Sequence, residues 1–519
     1  MSKMDAMTIT TPASPDQSSR GKRHFRLGQL LGFLLLSSSL AGCVVGPDYQ
    51  KPLIAMPGQW GSSKQVKAPK PADLSNWWKR LRDPELDALV DEAVAGNLDV
   101  ATAKAKIREA RATYRQTAGT LLPSLDGSAS ATRNRVSATS TGTSAETSSQ
   151  FQTGFDASWE LDLFGANKRS VEAAKYGLDA AGEDLRSTLL TLIGDVTSNY
   201  AQARGYQARI ALARRTAASQ RETAALTRTK FEAGSSSALD VANASGLANS
   251  TEANIPSLET SYAEAVHRLS VLTGRAPAAL TDRLKRSTPI PRPRQPVPTG
   301  VPADILRTRP DVRMAERQYA QYTAKIGQAE AARYPSVSLT GNIDTTALNI
   351  GDLGKNSTIG WSFGPALSVP IFSGGQKKAA VEVAQAQRDQ YFVAYRSSIL
   401  TALEDVENAI VSLAQERIRN GKLAASAKHY RDAASLSRSL YQSGTSSFLD
   451  VLDAERSLYS AEDALLQSRV AIAADYIALN KALGGGWSGL VDTGKPEVKD
   501  VNTGPHIVSN RQLMTNWQK

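Results

Sequence analysis

Residues 441–451 read Tyr-Gln-Ser-Gly-Thr-Ser-Ser-Phe-Leu-Asp-Val, and residues 231–241, about 210 positions earlier, read Phe-Glu-Ala-Gly-Ser-Ser-Ser-Ala-Leu-Asp-Val. The same offset relates Leu185–Val196 (LRSTLLTLIGDV) to Tyr395–Val406 (YRSSILTALEDV), and Leu269–Gly274 to Leu479–Gly484. Upstream, Leu98-Asp99-Val100 and Leu122-Pro123-Ser124 correspond to Pro310-Asp311-Val312 and Tyr334-Pro335-Ser336 with a shift of two. The chain therefore reads as two copies of one unit, residues 85–286 and 303–486. The proline-rich stretch 287–302 joins them, and its proline density favours an extended path. An extended N-terminal segment, 43–84, precedes the first copy, and a polar tail, 487–519, follows the second.

Each copy reads as helix, two strands, very long helix and shorter helix. Ile399, Leu403, Val406, Ile410 and Leu413 alternate four and three apart, a heptad seam that Leu189, Ile193, Val196 and Tyr200 echo. Val451, Leu458, Leu465, Ile472 and Leu479 recur every seventh position in the following helix, matched by Val241, Ala248, Ile255, Tyr262 and Leu269. Pro256 has no counterpart in the second copy and is expected to kink or break its helix. The segment Ser170 to Phe231 is roughly 62 residues, ~90 Å if continuously helical, too long for a compact domain. Helices over 86–119 and 236–274 together match that length, so a coiled-coil rod is one reading.

The strands argue for another. Phe151, Phe155, Trp159, Leu161 and Leu163 alternate with Gln152, Gly154, Asp156, Ser158, Glu160 and Asp162. Ile359, Trp361, Phe363, Leu367, Val369 and Ile371 alternate with Thr358, Gly360, Ser362, Gly364 and Ser368. Partner strands near Leu125–Arg133 and Val337–Asp344 alternate more weakly. One apolar, aromatic-rich face and one hydrophilic face mark an outer-membrane barrel, although a half-buried sheet in a soluble domain gives the same pattern. Four strands cannot close a barrel with an aqueous lumen, whereas three chains of four supply twelve, which predicts a homotrimer.

At the N-terminus, Arg20, Lys22, Arg23 and Arg26 precede the apolar run Leu27 to Leu40, too short to span a membrane as a helix. Leu40-Ala41-Gly42-Cys43 then resembles a bacterial lipoprotein processing site, which implies removal of residues 1–42 and lipidation of Cys43 on its sulfur and its new amino group. Cys43 is the single cysteine, which excludes an intrachain disulfide and any cysteine metal cluster. Several acyl chains anchor stably where one does not. Val44 rather than aspartate after the cysteine favours the outer membrane over inner-membrane retention. The net charge of +11 falls to about +8 without residues 1–42 and is spread thinly, against a nucleic-acid partner. His267, His429 and His506 are scattered, and Gly165-Ala-Asn-Lys168 lacks the phosphate-loop pattern, so no catalytic residues, metal site or cofactor beyond the covalent lipid are expected.

The remaining motifs form an ordered set: Gly46-Pro47-Asp48-Tyr49, Trp77-Trp78, Asp83-Pro84-Glu85-Leu86, Glu160-Leu-Asp-Leu-Phe-Gly165, Arg309-Pro-Asp-Val312, Gly364-Pro365, Pro370-Ile-Phe372, Gly374-Gly375 and Leu483-Gly-Gly-Gly-Trp487. In this order they resemble the TolC-like outer-membrane factors, in particular the lipidated OprM/NodT branch found with resistance-nodulation-division (RND) pumps. The likeness covers essentially the whole mature chain. It implies an α+β membrane protein: a trimeric 12-stranded outer-membrane β-barrel, four strands per chain, continuous with a long periplasmic α-helical coiled-coil barrel and a mixed equatorial girdle. It also implies a passive exit duct of a tripartite efflux system, in which an inner-membrane RND-type pump supplies energy and selects the small toxic compounds carried.

In that family a periplasmic adaptor (membrane fusion protein) docks on glycine-containing hairpin tips, here Gly234, Ser235, Gly444 and Thr445, although glycine also simply terminates helices. Asp240, Asp450 and Asp453 fall where the family places entrance-gate aspartates; acids at a helix N-terminus are the plainer reading. Tyr441 matches a family gate residue, but Ser446 stands where an arginine is expected. Two other functions fit less of the sequence: the outer-membrane component of a type I protein secretion system, and a non-channel periplasmic lipoprotein scaffold.

Overall fold

The structure, a computed structural model, describes residues 44–61, 74–136, 145–293, 297, 302–486, 489 and 491–498. The leader 1–42, Cys43, Trp487 and parts of the 287–302 linker and the C-terminal tail lie outside the described residues. Two compact units are formed.

The first unit comprises residues 44–47, Ala118–Ser170 and Ala324–Val383. It holds an antiparallel sheet of four strands, β1 (Ser124–Val136), β2 (Glu146–Glu160), β3 (Ser336–Ala347) and β4 (Ile359–Ser368), in the order β1-β2-β3-β4. Directly paired residues share a face. One row is Gly127, Phe155, Ile343 and Trp361; another is Leu125, Ala157, Gly341 and Phe363. The intervening row, Asp126, Asp156, Asn342 and Ser362, faces the other way. The sheet therefore has one apolar and one polar face, and on the polar one Ser362 N donates to Asn342 Oδ1 at 3.0 Å.

The apolar face is bare. Trp361 is 76% exposed and Phe363 71%, with Leu125, Phe155, Ile343 and Leu367 exposed beside them. A half-buried sheet in water needs such a face covered, and among the described residues of this chain nothing covers it. Strand pairing stops at Glu160 and Ser368, and Leu161, Leu163, Val369 and Ile371, read as strand from their alternation, lie beyond it. Only Leu161 keeps a ladder-like bond, its N–H donating to Val337 O at 2.8 Å.

The segment after the cysteine is pinned within this unit. Val45 N donates to Phe164 O (3.1 Å), and the buried Arg169 donates from Nε to Val45 O and from Nη2 to Gly46 O, both 3.2 Å. Gly46 has φ +86° and faces Gly327 so closely that a Cβ would lie 2.3 Å from its Cα.

The second unit comprises Asp48–Thr117, Val171–Thr323 and the described residues from Ala384 onward. The principal helices of the chain are α1 (Pro84–Gly96), α2 (Leu98–Gly119), α3 (Ala166–Glu232), α4 (Ala238–Leu272), α5 (Pro310–Ala331), α6 (Gln376–Gln442) and α7 (Phe448–Ala482). Helices α3 and α6 each have 67 residues, α4 and α7 each 35, and α2 and α5 each 22. The heptad positions are the packing positions: Ile193, Val196, Tyr200, Ile399, Val406, Val451, Leu269 and Leu479 are all buried.

Two helices depart from expectation. Residues 86–119 are not one helix, because Asn97 interrupts them. Its Oδ1 accepts from Asp99 N (2.9 Å) and Val100 N (3.1 Å), capping α2, while its Nδ2 donates to Leu272 O at 3.0 Å. Helix α4, conversely, runs unbroken through Pro256. The proline forfeits one backbone donor, and the flanking Leu258 is buried in a cluster with Ile210 and Ala213. Packing along the seam outweighs the local propensity.

Several motifs set the helix ends. Asp83 caps α1, accepting from Glu85 N (3.1 Å) and Leu86 N (3.3 Å), with Pro84 opening the helix. Its other oxygen accepts from Tyr200 Oη at 2.7 Å, and burial, with this bond, pushes the Tyr200 phenol up to about 12. Trp77 and Trp78 are fully buried, stacked edge-on to each other and, through Trp77, to Tyr476. Arg309 holds Asp311 (2.7 Å) and Asp405 (2.9 Å) just before Pro310 opens α5. Among the described residues no helix is long and apolar enough to cross a membrane.

The clasp at Gly46 yields a test. Gly46→Ala meets backbone at 2.3 Å and a disfavoured φ, and neither can be relieved by a rotamer change. It is expected to release residues 44–47, seen as new protease cleavage there with the sheet retained; an unchanged digestion pattern would contradict the clasp.

Candidate functional site

The two helical hairpins, α3–α4 and α6–α7, turn through the same chemistry. Helix α3 ends at Gly234 (φ +73°) with Gly234 N donating to Phe231 O (2.9 Å) and Ser235 N to Lys230 O (2.8 Å). Helix α6 ends at Gly444 (φ +81°) with Gly444 N donating to Tyr441 O (3.2 Å) and Thr445 N to Leu440 O (2.9 Å). Left-handed glycine closes a helix in this way because it carries no Cβ. Around Gly234 and Gly444 the space is open, so backbone conformation, not crowding, demands glycine.

Three residues later each partner helix starts with a capping box. Asp240 N donates to Ser237 Oγ (3.1 Å) and Ser237 N to Asp240 Oδ2 (3.0 Å). Asp450 N donates to Ser447 Oγ (3.4 Å) and Ser447 N to Asp450 Oδ2 (3.2 Å). A second hydroxyl joins each: Ser236 donates to Asp240 (3.1 Å) and Ser446 to Asp450 (2.7 Å). Ser446, at the position of the expected arginine, thus gives Asp450 a neutral donor. These bonds hold both carboxyls below the ordinary 3.8, through the Ser237 backbone N–H first at Asp240 and the Ser446 hydroxyl first at Asp450. Asp453 is exposed one turn further on and makes no hydrogen bond or ion pair among the described residues.

Tyr441 lies elsewhere in character. It is buried, its hydroxyl donating to Thr227 Oγ1 at 3.2 Å and its ring edge-on to Phe448. Lys230 Nζ sits 4.6 Å from the ring centroid and donates to Tyr441 O at 2.6 Å. The structure therefore brings Asp240 into one cap and Asp450 into the other, and places Tyr441 in the seam between the hairpins. Lys230 and Thr227 are not evident from the hairpin motifs. Their signal in the sequence is a mismatch: Leu440 and Ser437 occupy the equivalent places in the second copy.

Further along, the same seam carries ion pairs. Buried Glu455 accepts from Arg438 Nε (2.7 Å) and Thr223 Oγ1 (3.0 Å). Arg209 grips Asp463 with two bonds of 2.6 and 3.0 Å, and Arg215 lies 3.6 Å from Glu462. Among the described residues no group of His, Cys, Asp or Glu could hold a metal ion.

A sheet that turns an aromatic face outward, in a chain of long paired helices with capped tips, defines a membrane channel protein. The chain belongs to the outer membrane efflux protein family, described as Outer membrane efflux protein, which matches residues 89–275 and again 301–485. It is similar to Nodulation protein T of Rhizobium leguminosarum bv. trifolii, 36% identical over 469 residues, covering 88% of this chain and 97% of that protein. Solvent efflux pump outer membrane protein SrpC of Pseudomonas putida is 34% identical over 463 residues, covering 86% and 96% respectively. The solved outer-membrane channel OprN superposes with a TM-score of 0.81 at 34% identity, covering 86% of this chain and all of that one. The protein is thus an outer-membrane efflux channel extending into the periplasm.

The caps set a measurable expectation. A carboxyl whose folded pKa is depressed stabilises above its unfolded value and loses that contribution as the pH falls through the folded one, here below 3.8. Ser447→Ala should speed amide exchange in the first turn of α7 by about fivefold. That excess over the parent should persist from about pH 7 to about pH 5 and shrink only below the carboxylate range; equal exchange at neutral pH would count against the cap.

Proposed function

We propose that the chain is the exit duct of a tripartite efflux assembly, three copies closing one twelve-stranded barrel in the outer membrane. The observation that carries this is the exposed apolar row across all four strands, with Phe155, Ile343 and Trp361 side by side. Lipid is the solvent such a face requires. Among the described residues, the outer edges of β1 and β4 pair with no strand, which supports closure by further copies. So does helix α6. Leu400 is 64% exposed where its equivalent Leu190 is buried, and Val411 is exposed where Ala201 is buried. Covering that face with a neighbouring chain makes the two copies of the repeated unit, 85–286 and 303–486, alike in environment.

In this reading small toxic compounds pass from an inner-membrane RND-type pump through a periplasmic adaptor into the duct, and the chain performs no catalysis. The adaptor docks on the tips at Gly234, Ser235, Gly444 and Thr445. Asp240, Asp450 and Asp453 supply rings of carboxylate at the entrance, and Tyr441 ties the hairpins behind them. Cys43 carries the lipid, which aids sorting and assembly, since a closed barrel holds itself in the membrane. In sequence the 43–84 segment precedes the first copy, the 287–302 linker joins the two, and the 487–519 tail follows the second.

Reconstituted protein in planar bilayers tests the proposal. The parent should form detergent-stable trimers with cation-preferring conductance, and Asp450→Ala with Asp453→Ala should weaken the preference by several-fold; an unaltered single-channel record removes the selectivity role. Leu400→Asp with Val411→Asp should yield monomers without conductance. Trimers that survive this change would dismiss α6 as the contact.

A further inference from the structure

The sheet sorts its charges by face. Pairing keeps residue parity across all four strands, since Asp126 pairs with Asp156, Asp156 with Asn342, and Asn342 with Ser362. Asp126, Asp156, Glu160 and Asp344 all stand at even positions, on the polar face. Arg133 and Arg135 are the only bases in the four strands, and both stand at odd positions, on the face of Phe155 and Trp361. Along β1 that face reads Leu125, Gly127, Ala129, Ala131 and then the two arginines.

The arginines fall at one rim of the apolar band. Helices α2, α3, α5 and α6 all join the sheet at the end of Ser124, Glu160, Ser336 and Ser368, and the β1–β2 and β3–β4 connections close the other end. In a channel that extends into the periplasm, the connection end lies at the cell exterior. Trp159 marks the inner rim, its Nε1 donating to Leu121 O at 3.1 Å. Leu125 to Arg135 is about ten residue steps, ~33 Å along a strand. At a tilt of about 40° that is ~25 Å of height, the thickness of a barrel's apolar band.

Both arginines are exposed and bond to no other described residue. Their direct cross-strand partners are Ser149 and Thr147, hydroxyls and not carboxylates. One row nearer the membrane centre, Ala131 pairs with Phe151 and supplies an apolar shelf. Asp352, the acid of the β3–β4 connection, is already held by Lys355.

We infer that Arg133 and Arg135, with Ser149 and Thr147, bind the phosphate groups of an acidic glycolipid in the outer leaflet. Guanidinium forks match phosphate oxygens two bonds at a time, and the two hydroxyls add donors. The arginine stems lie along the apolar face while their heads reach the headgroup layer. Donors above an apolar row suit an amphiphile better than a free anion, because acyl chains gain contact with Ala131 and Phe151 as the phosphate is gripped. This inference rests on the outer-membrane barrel proposed above.

The test uses the full-length trimer in phosphatidylcholine nanodiscs supplied with limiting diphosphorylated lipid A or its dephosphorylated form. Lipid kept after detergent extraction is counted by native mass spectrometry. The parent should keep diphosphorylated lipid A, and Arg133→Gln with Arg135→Gln should lower the bound amount about tenfold. Arg133→Lys with Arg135→Lys should recover part of it, since charge remains and the planar fork is lost. In phosphatidylcholine alone, both variants should match the parent in trimer content and conductance. Equal binding by parent and glutamine variant, equal retention of the dephosphorylated form, or full displacement by inorganic phosphate would overturn the inference. So would a glutamine variant that loses its trimers in phosphatidylcholine alone, which would place the arginines in a contact between copies. A parent that forms no trimer in any lipid would instead defeat the barrel reading on which the site depends.

Discussion

Hydrocarbon offers no partner for a backbone amide or carbonyl, and the rest of the structure follows from that constraint. The four strands satisfy one another inside the sheet but leave two rows of backbone groups, on β1 and β4, that pair with no strand among the described residues. Each such group costs several kcal/mol in lipid. A sheet with an aromatic outer face cannot retreat into water either. The proposed ring answers this by joining β4 of one chain to β1 of the next, a head-to-tail contact that is stable only when the ring closes. The bare face of α6 is the helical counterpart of the open sheet edge.

Two copies of one unit would make the proposed ring from few parts, and their side chains have since diverged. Lengths are kept to the residue between α3 and α6 and between α4 and α7, because hairpins of unequal length would leave tips out of register. Side chains at the seams are under no such restraint. Tyr441, Lys230 and Glu455 in the seam between the hairpins, against Phe231, Leu440 and Ser245 at the equivalent positions of the other copy, show how far the chemistry has separated while the helix lengths have not.

Much of the fold is legible in the sequence because long helices and alternating strands write their periods plainly. The heptad positions Ile193, Val196, Ile399 and Val406 are buried as their spacing predicts, and the alternation of Phe155, Trp361 and Phe363 marks the apolar face. Boundaries are less legible, since they depend on partners far away. Asn97 splits 86–119 because Leu272 supplies an acceptor and the α2 amides need a cap. Pro256 fails to break α4 because distant packing holds the helix together. The strand ends at Glu160 and Ser368 depend on where neighbours stop pairing. At the tips, Gly234, Gly444, Asp240 and Asp450 announce themselves through local motifs. Burial of Tyr441 depends on Thr227 and Lys230 across the seam, which no local pattern reveals.

The Gly46-Pro47-Asp48-Tyr49 motif has a consequence for the order in which the protein is made. Tyr49 donates to Glu316 at 2.9 Å, 267 residues away, and Gly46 nests against Gly327. Neither partner exists until well after the first half of the chain has been synthesised. During translocation the leading end therefore has no fold to join, and contacts of such high sequence separation form late and slowly. A membrane tether at that end would hold the unfinished chain at a surface through this interval, limiting the volume that its unpaired strands can search and the encounters by which they aggregate.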